Sequence, residues 1–145
     1  MTAEKSRSYR SLNSYTKLMR AAESVTNRVG RNMSAAGLTI SQFGVLEALL
    51  HKGPLCQRDI AVKILKSTGN ITLVIDNLEK QGLVKRERSA EDRRYFTVSL
   101  TPGGAELIST AFAAVEAAII TEMSVLTEAE QETLGGLCKK LGLQE

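Results

Sequence analysis

One long helical pattern near the start of the chain constrains the fold more than any other feature of the sequence. Between Tyr9 and Met33 the apolar residues recur at steps of three and four, and no proline or glycine interrupts them before Gly30. About 25 residues at roughly 1.5 Å each make a rod of about 38 Å. A globule of this chain's length has a radius of gyration of only about 15 Å. One chain can hardly cover such a helix, so we expect part of its apolar stripe to meet a second subunit.

Three short helical patterns follow the long one. The first begins at a capping box, Thr39-Ile-Ser-Gln42, in which the hydroxyl and amide groups would satisfy free backbone groups. Gly53-Pro54 ends it, and a second, shorter pattern comes next. The third has Ser67 as its expected N-cap and Gly82 as its stop, with apolar residues at i, i+3, i+4 and i+7 between them. Its opposite face carries short polar side chains, namely Thr68, Asn70, Thr72 and Asn77.

After Gly82 the apolar period changes from helical to alternating. Two alternating segments, 83–88 and 95–100, flank the charged stretch 89–94, which predicts a β-hairpin with a charged tip. Thr101-Pro102 then opens another helix. A second capping box, Thr127-Glu-Ala-Glu130, opens the last one. The expected fold is therefore mainly α with one small β-hairpin.

Charge is distributed unevenly along the chain, although the net charge is only +3. Residues 1–40 carry seven basic and two acidic side chains, whereas residues 95–145 carry two and seven. A basic region on a small protein favours a polyanionic partner such as nucleic acid, and a solvated helix surface is the alternative on charge alone. No run approaches about 18 consecutive apolar residues, and the N-terminus has no apolar leader, so we expect a cytoplasmic protein without a membrane segment.

Cysteine and histidine are too scarce for a metal site or a disulfide framework. Cys56 and Cys138 lie far apart, and the single histidine, His51, falls at a helix end. No nucleophile can be placed beside a partner base. The pair Gly103-Gly104 is better explained by tight packing at a helix start than by nucleotide binding. We therefore expect no metal, no cofactor and no catalytic activity.

The order of these elements is that of a winged helix-turn-helix, and several short motifs extend the comparison. They are Leu38-Thr-x-x-Gln-Phe43, Gly53-Pro-Leu55, Asp76-Asn-Leu-Glu-Lys-Gln-Gly-Leu-Val84, Glu91-Asp-Arg-Arg94 and Ser99-Leu-Thr101. With them the chain resembles the MarR family of bacterial transcription regulators over nearly its whole length. The resemblance implies a winged helix-turn-helix lobe together with N- and C-terminal dimerisation helices.

The resemblance also implies an organisation and a function. Two lobes of a homodimer would bind double-stranded DNA with inverted half-sites, set roughly 34 Å apart so that both lobes enter successive major grooves. The protein would be a sequence-specific repressor released by a small-molecule ligand; a dimeric protein-interaction module with the same fold is the alternative. Within a single domain of residues 1–145, the implied segments are dimerisation helices at about 9–34 and 102–143, a DNA-binding lobe at about 39–101, a helix-turn-helix at about 56–81 and a wing at about 83–100.

The expected DNA contacts come from the third short helix and from the hairpin tip. Small residues at the helix start allow close approach, free N–H groups there favour a phosphate, and Asn70 can pair with adenine. In the tip, Asp92 and Arg94 match the family's Asp-x-Arg, in which the arginine enters the minor groove and the aspartate orients it. Being two residues apart, they can project from the same side of a strand. The expected DNA-binding residues are Ser67, Thr68, Gly69, Asn70, Thr72, Arg88, Asp92, Arg93 and Arg94, with Arg88 and Arg93 as phosphate neighbours.

Two further hypotheses concern a ligand and a thiol. Small aromatic or phenolic effectors are common in the family, and Tyr15, Arg20 and Phe43 are the candidate ligand contacts. Cys56 departs from the family pattern, which usually has a hydroxyl or similar capping residue at this helix start. A thiol at a helix N-terminus can have a lowered pKa, so a thiol-based redox-responsive regulator is a second alternative. Cys138 lies on an apolar stripe and is expected to pack.

Overall fold

Six helices and a three-stranded sheet make up residues 2–64 and 68–143, the part of the chain that the computed structural model describes. The helices are α1 (Ala3–Ala35), α2 (Ile40–Lys52), α3 (Gln57–Lys63), α4 (Thr68–Lys80), α5 (Pro102–Met123) and α6 (Glu128–Gly142). The strands are β1 (Leu55–Cys56), β2 (Val84–Arg88) and β3 (Phe96–Leu100). The expected fold class, mainly α with a small β-hairpin, is confirmed.

The two capping boxes begin α2 and α6 as predicted. The backbone N–H of Gln42 donates to Thr39 Oγ1 at 3.1 Å, and the N–H of Thr39 donates to Gln42 Oε1 at 3.0 Å. Thr127 and Glu130 make the same reciprocal pair at 3.2 and 2.9 Å. The backbone N–H of Thr127 stabilises the charged carboxylate of Glu130 and so lowers its pKa.

Two elements differ from the prediction: α1 is longer than expected, and β1 was not expected. α1 begins at Ala3 rather than near Tyr9, because its first turns are polar and apolar spacing gives no signal there. The side chain of Thr2 caps this start by accepting the backbone N–H of Lys5 at 3.3 Å. Strand β1 was not predicted, since two residues show no period. It pairs with β3, and the antiparallel sheet has the order β1-β3-β2.

The described chain divides into two compact units. We call residues 30–115 the winged-helix unit, because they contain α2, α3, α4 and the sheet. The terminal unit consists of the residues up to Val29 and those from Glu116 onward. In the core of the winged-helix unit, Ile60, Ile71, Ile75, Leu78 and Ile108 are apolar positions that the helical patterns predicted. Its fully buried side chains include Val45, Leu46, Ile60, Ile71, Ile75, Leu78, Val84, Val98 and Ile108.

Helix α5 begins in close contact with the chain that leads into the hairpin. Thr101 Oγ1 donates to the Gly82 carbonyl at 2.6 Å and accepts the backbone N–H of Gly104 at 3.0 Å. A Cβ on Gly104 would lie 1.9 Å from the carbonyl oxygen of Leu83, whereas a Cβ on Gly103 would meet only Thr101 Oγ1 at 3.9 Å. Tight packing therefore accounts for Gly104 but not for Gly103.

Among the described residues, α5 is also the one helix that is long and apolar enough to cross a membrane by length and composition alone. α1 and α2 pass the same test together, with a bend of 75° between them. The count of consecutive apolar residues did not detect α5, because isolated polar residues interrupt it. Ile108, Ala111 and Val115 of α5 are buried within the protein, and the core helix of a soluble protein passes this test as well.

The terminal unit leaves much of its apolar surface uncovered by the described residues. Tyr15 of α1 is 63% exposed and Leu137 of α6 is 61% exposed. Both line a groove of about 370 Å³, together with Ser11, Ser14, Leu18, Leu134, Cys138 and Leu141. Cys138 is therefore exposed, and the expectation that it packs is wrong for a single chain. Arg28 Nε, also in this unit, donates to both carboxylate oxygens of Glu122 at 2.8 Å.

Candidate nucleic-acid interface

Helix α4 has one buried face and one outward face. Ile71, Ile75 and Leu78 are fully buried, whereas Asn70 and Leu73 are exposed. Leu73 was not predicted as part of the interface. It falls outside the i, i+3, i+4, i+7 set of core positions, and an apolar residue outside that set is a sign that could have identified it. The outward face of α4 is therefore not purely polar.

The other predicted contacts on this helix have different settings. Thr72 is half-buried, and its Oγ1 accepts a hydrogen bond from Gln57 Nε2 at 2.7 Å, which joins α4 to the start of α3. The Thr72 hydroxyl therefore helps to position one helix against the other. Thr68 and Gly69 form the first turn of α4. Ser67 lies outside the described residues.

The tip of the wing holds an arginine against an aspartate. Arg94 Nε and Nη2 donate to Asp92 Oδ1 and Oδ2 at 3.0 and 2.7 Å, and the Arg94 backbone N–H donates to Asp92 Oδ1 at 3.0 Å. The Arg94 side chain is nevertheless 82% exposed. Its guanidinium keeps Asp92 ionised by lowering the pKa of the carboxyl group. Both residues lie in the turn between β2 and β3, so the expectation that strand alternation aligns them is wrong. The turn itself brings them together.

Arg88, the last residue of strand β2, supports the same tip. Its Nη1 donates to the carbonyl oxygen of Arg93 at 2.7 Å, and its guanidinium lies 4.9 Å from the centre of the Phe96 ring. The cation therefore contacts an aromatic face and a backbone carbonyl of the turn. Arg88 therefore stabilises the turn of its own hairpin, and its expected phosphate contact stays a prediction. Arg93 is exposed.

Arg86 connects the wing to α4. Its Nη2 donates to Asp76 Oδ1 and, at 3.3 Å, to Glu79 Oε1. The backbone N–H of Arg86 donates to the other oxygen of Glu79 at 3.0 Å. Because β2 is an edge strand, this N–H would otherwise lack a partner strand. Asp76 and Glu79, three residues apart on α4, therefore fix both the side chain and the backbone of the wing strand.

A shallow basic pocket of about 300 Å³ lies between the start of α3 and the wing. Two arginines, Arg58 and Arg94, line it together with Gln57, Tyr95 and Phe96. Arg58 is exposed and was not predicted as a contact, because a single arginine on a short helix gives no periodic signal. The winged-helix unit thus carries a cationic region between the start of α3 and the wing.

The remaining candidates are found in both units of the described chain. Tyr15 and Arg20 are exposed residues of the terminal unit, whereas Phe43 is buried in the core of the winged-helix unit. Cys56 is the half-buried N-cap of α3 and makes no side-chain capping bond. The ring of His51 packs edge-on against Phe112 at 4.7 Å. Within residues 2–64 and 68–143, no three His, Cys, Asp or Glu side chains lie close enough to hold a metal ion.

Comparison with known proteins decides the family. Residues 38–96, which contain α2 to α4 and the start of β3, match the model of the MarR family. The chain is 36% identical over 134 residues to the HTH-type transcriptional regulator MhqR of Bacillus subtilis (strain 168), and the match covers 92% of each protein. The chain belongs to the MarR family. It is a DNA-binding transcriptional regulator, as its motifs predicted, and this family consists of regulators that are not enzymes.

Two solved structures extend the family comparison. Bordetella bronchiseptica BpsR, whose DNA binding is regulated by 6-hydroxynicotinic acid, has a TM-score of 0.81 and 25% identity, covering 90% of this chain and 98% of that one. A mutant of E. coli MarR complexed with operator DNA has a TM-score of 0.80 and 24% identity, covering 87% and 91%. The second shares the MarR fold with this chain.

Proposed function

We propose that the protein is a homodimeric repressor that binds inverted half-sites in duplex DNA. In each chain α4 would enter a major groove while Arg94 of the wing enters the neighbouring minor groove. The observation that carries this proposal is the Asp92–Arg94 pair, held at the exposed tip of a wing that Arg86 ties to α4. Because α4 and the wing are fixed to each other, both can contact the same DNA site.

The proposal assigns a role to each group of residues. Asn70 would contact a base edge, and the backbone at Thr68 and Gly69 would approach a phosphate from the start of α4. Ser67 and Thr72 stay as further proposed DNA contacts. Arg94 would enter the minor groove with Asp92 as its orienting partner, and Arg93 would contact a phosphate. Arg58 is added to the phosphate contacts because it lines the same basic pocket as Arg94.

Two further parts of the proposal concern the effector and the location. A small aromatic acid that lowers the affinity for DNA is the proposed effector class, supported by the action of 6-hydroxynicotinic acid on BpsR. Tyr15, Arg20 and Phe43 stay as its candidate contacts. A protein that binds operator DNA would act in the cytoplasm, and we propose no catalytic activity.

Binding to a selected duplex is expected to depend steeply on salt. Each phosphate contact contributes about −0.9 to the slope of log affinity against log salt, so the proposed contacts of Arg58, Arg88 and Arg93 in both chains of a dimer give about −5. Arg93→Ala should reduce the magnitude of this slope by about 2, because it removes one contact from each chain. The slope is measured by fluorescence anisotropy between about 50 and 200 mM salt.

Lys139→Ala is the matched control for that experiment. Lys139 lies on α6 in the terminal unit, so its removal should leave the slope unchanged. Salt-independent binding, or the absence of binding to any duplex selected from random DNA, would contradict the proposal. Either result would favour the protein-interaction module.

Light scattering at micromolar concentration is expected to give about twice the chain mass of 15.7 kDa. The reason is the uncovered apolar groove of the terminal unit, which a second copy would bury. Leu137→Glu places a charge on this surface and should yield monomers, whereas Val62→Glu changes an equally exposed residue of α3 and should leave the dimer intact. A parent protein that is monomeric and still binds its operator would disprove the dimer.

A further inference from the structure

Leu73 is a large apolar side chain on the outward face of α4. Successive residues of an α-helix are rotated by about 100°, so Leu73 lies about 200° around the axis from Ile71. Ile71 and its neighbours on the core face are fully buried, whereas Leu73 is 62% exposed. The side chain therefore points almost directly away from the core of the winged-helix unit.

A single exposed leucine is ordinary on a protein surface, but the position of this one is informative. Leu73 is the sixth residue of α4 and shares the exposed face with Asn70 and Asn77. In helix-turn-helix proteins the N-terminal part of the second helix contacts base edges in the major groove. A leucine offers no hydrogen bond, and the one apolar group that a base pair presents in this groove is the C5 methyl of thymine.

We infer that Leu73 determines sequence specificity by packing against the C5 methyl group of a thymine in each half-site. The inference rests on the proposed entry of α4 into the major groove. It adds the group that the outward face of α4 would recognise there, the thymine methyl group. Packing the leucine on a methyl group removes apolar surface from water, which corresponds to about fourfold in affinity for each methyl group buried. Cytosine and uracil lack this methyl group, so Leu73 distinguishes thymine from both.

Deoxyuridine substitution tests the inference directly. It removes the methyl group of one thymine and leaves every hydrogen-bonding group of the base pair in place. In an operator selected with the parent protein, we expect about a fourfold loss of affinity at the contacted thymine in one half-site. Leu73→Ala should lose this sensitivity. Because the variant loses the contact in both half-sites, it should bind the unmodified operator about as weakly as the parent binds an operator substituted in both half-sites. Leu73→Met keeps an apolar side chain and should retain the sensitivity.

Val62→Ala is the matched control, because Val62 is a 68% exposed apolar residue of the neighbouring helix α3. Its deoxyuridine profile should equal that of the parent. All these side chains are exposed, so melting temperatures should stay close to that of the parent.

Two outcomes would overturn the role of Leu73. One is a deoxyuridine profile of Leu73→Ala that equals the parent's, since the methyl group would then be read by another residue. The other is a parent protein that binds its operator but loses no affinity at any substituted thymine. If the parent binds no duplex at all, the proposed DNA interface itself fails, so the two failures can be told apart.

Discussion

Replacing Gly104 with alanine is expected to destabilise the protein by about 3 kcal/mol, which is toward the upper end of the cost of overpacking a core. The added Cβ would lie 1.9 Å from the carbonyl oxygen of Leu83 and 2.8 Å from its carbonyl carbon. Both are backbone atoms and cannot rotate aside, so the start of α5 must move away from Leu83. Leu83 also accepts the backbone N–H of Thr101 at 3.1 Å, and this hydrogen bond would be disturbed by the same movement.

Gly103→Ala is the matched control on the adjacent residue. Its Cβ would meet only Thr101 Oγ1 at 3.9 Å, and alanine is favoured over glycine in a helix by up to about 1 kcal/mol. We expect Gly103→Ala to be neutral or mildly stabilising. Thermal unfolding at one protein concentration measures both, and a loss of 3 kcal/mol corresponds to a melting temperature lower by about 6–12 °C. Equal stability of the two variants would contradict the close approach at Gly104.

The second large effect is expected at the wing tip. Arg94→Ala should weaken binding to a selected operator by about 1–3 kcal/mol, or about 5- to 150-fold, if Arg94 contacts a specific site in the minor groove. Its exposed guanidinium is held by two oxygens of Asp92, so the side chain loses little further conformational freedom when DNA binds. Affinity is measured at fixed salt, with melting curves to verify that the variant is folded.

Asp92→Ala is expected to weaken DNA binding as well, and the sign of this effect is informative. Removing a carboxylate near phosphates should strengthen binding if Asp92 is only a surface charge. If Asp92 orients Arg94, its removal frees the guanidinium and lowers affinity.

Arg94 lowers the pKa of Asp92 below its ordinary value of 3.8. The pair is therefore present above that value and is lost only as the pH falls through the lowered pKa, so binding between about pH 6 and 8 should not vary with Asp92 ionisation.

Glu87→Ala provides the control for the loss of an acidic charge. Glu87 is an exposed carboxylate on strand β2 of the same hairpin, and it pairs with Lys85 at 3.1 Å rather than with an arginine of the tip. Its removal should leave DNA binding unchanged or slightly tighter. If Asp92→Ala also binds more tightly, Asp92 has no orienting role. If Arg94→Ala binds like the parent, the wing does not take part in recognition.

The amino-acid sequence by itself determined the elements whose signals are local. Helical spacing identified Ile71, Ile75 and Leu78 as the core face of α4, and the reciprocal pair of Thr39 and Gln42 located the start of α2. These features depend on residues within one or two turns of each other, so a linear pattern contains the necessary information. Each family motif is also a contiguous stretch of the chain, and together these motifs predicted the regulator function.

Only the tertiary structure decided which partner each polar or small residue meets. Arg86 and Arg88 are two residues apart on one strand, and the sequence gives no sign that they differ. Arg86 nevertheless contacts Asp76 of α4, whereas Arg88 contacts the Phe96 ring. Gly103 and Gly104 are neighbours, but only the second lies against the backbone of Leu83. Such contacts join residues from different elements, and their distances depend on how helices and strands pack. The residue pattern of one helix or strand shows which of its faces is apolar. It does not show which residues of another element pack against that face.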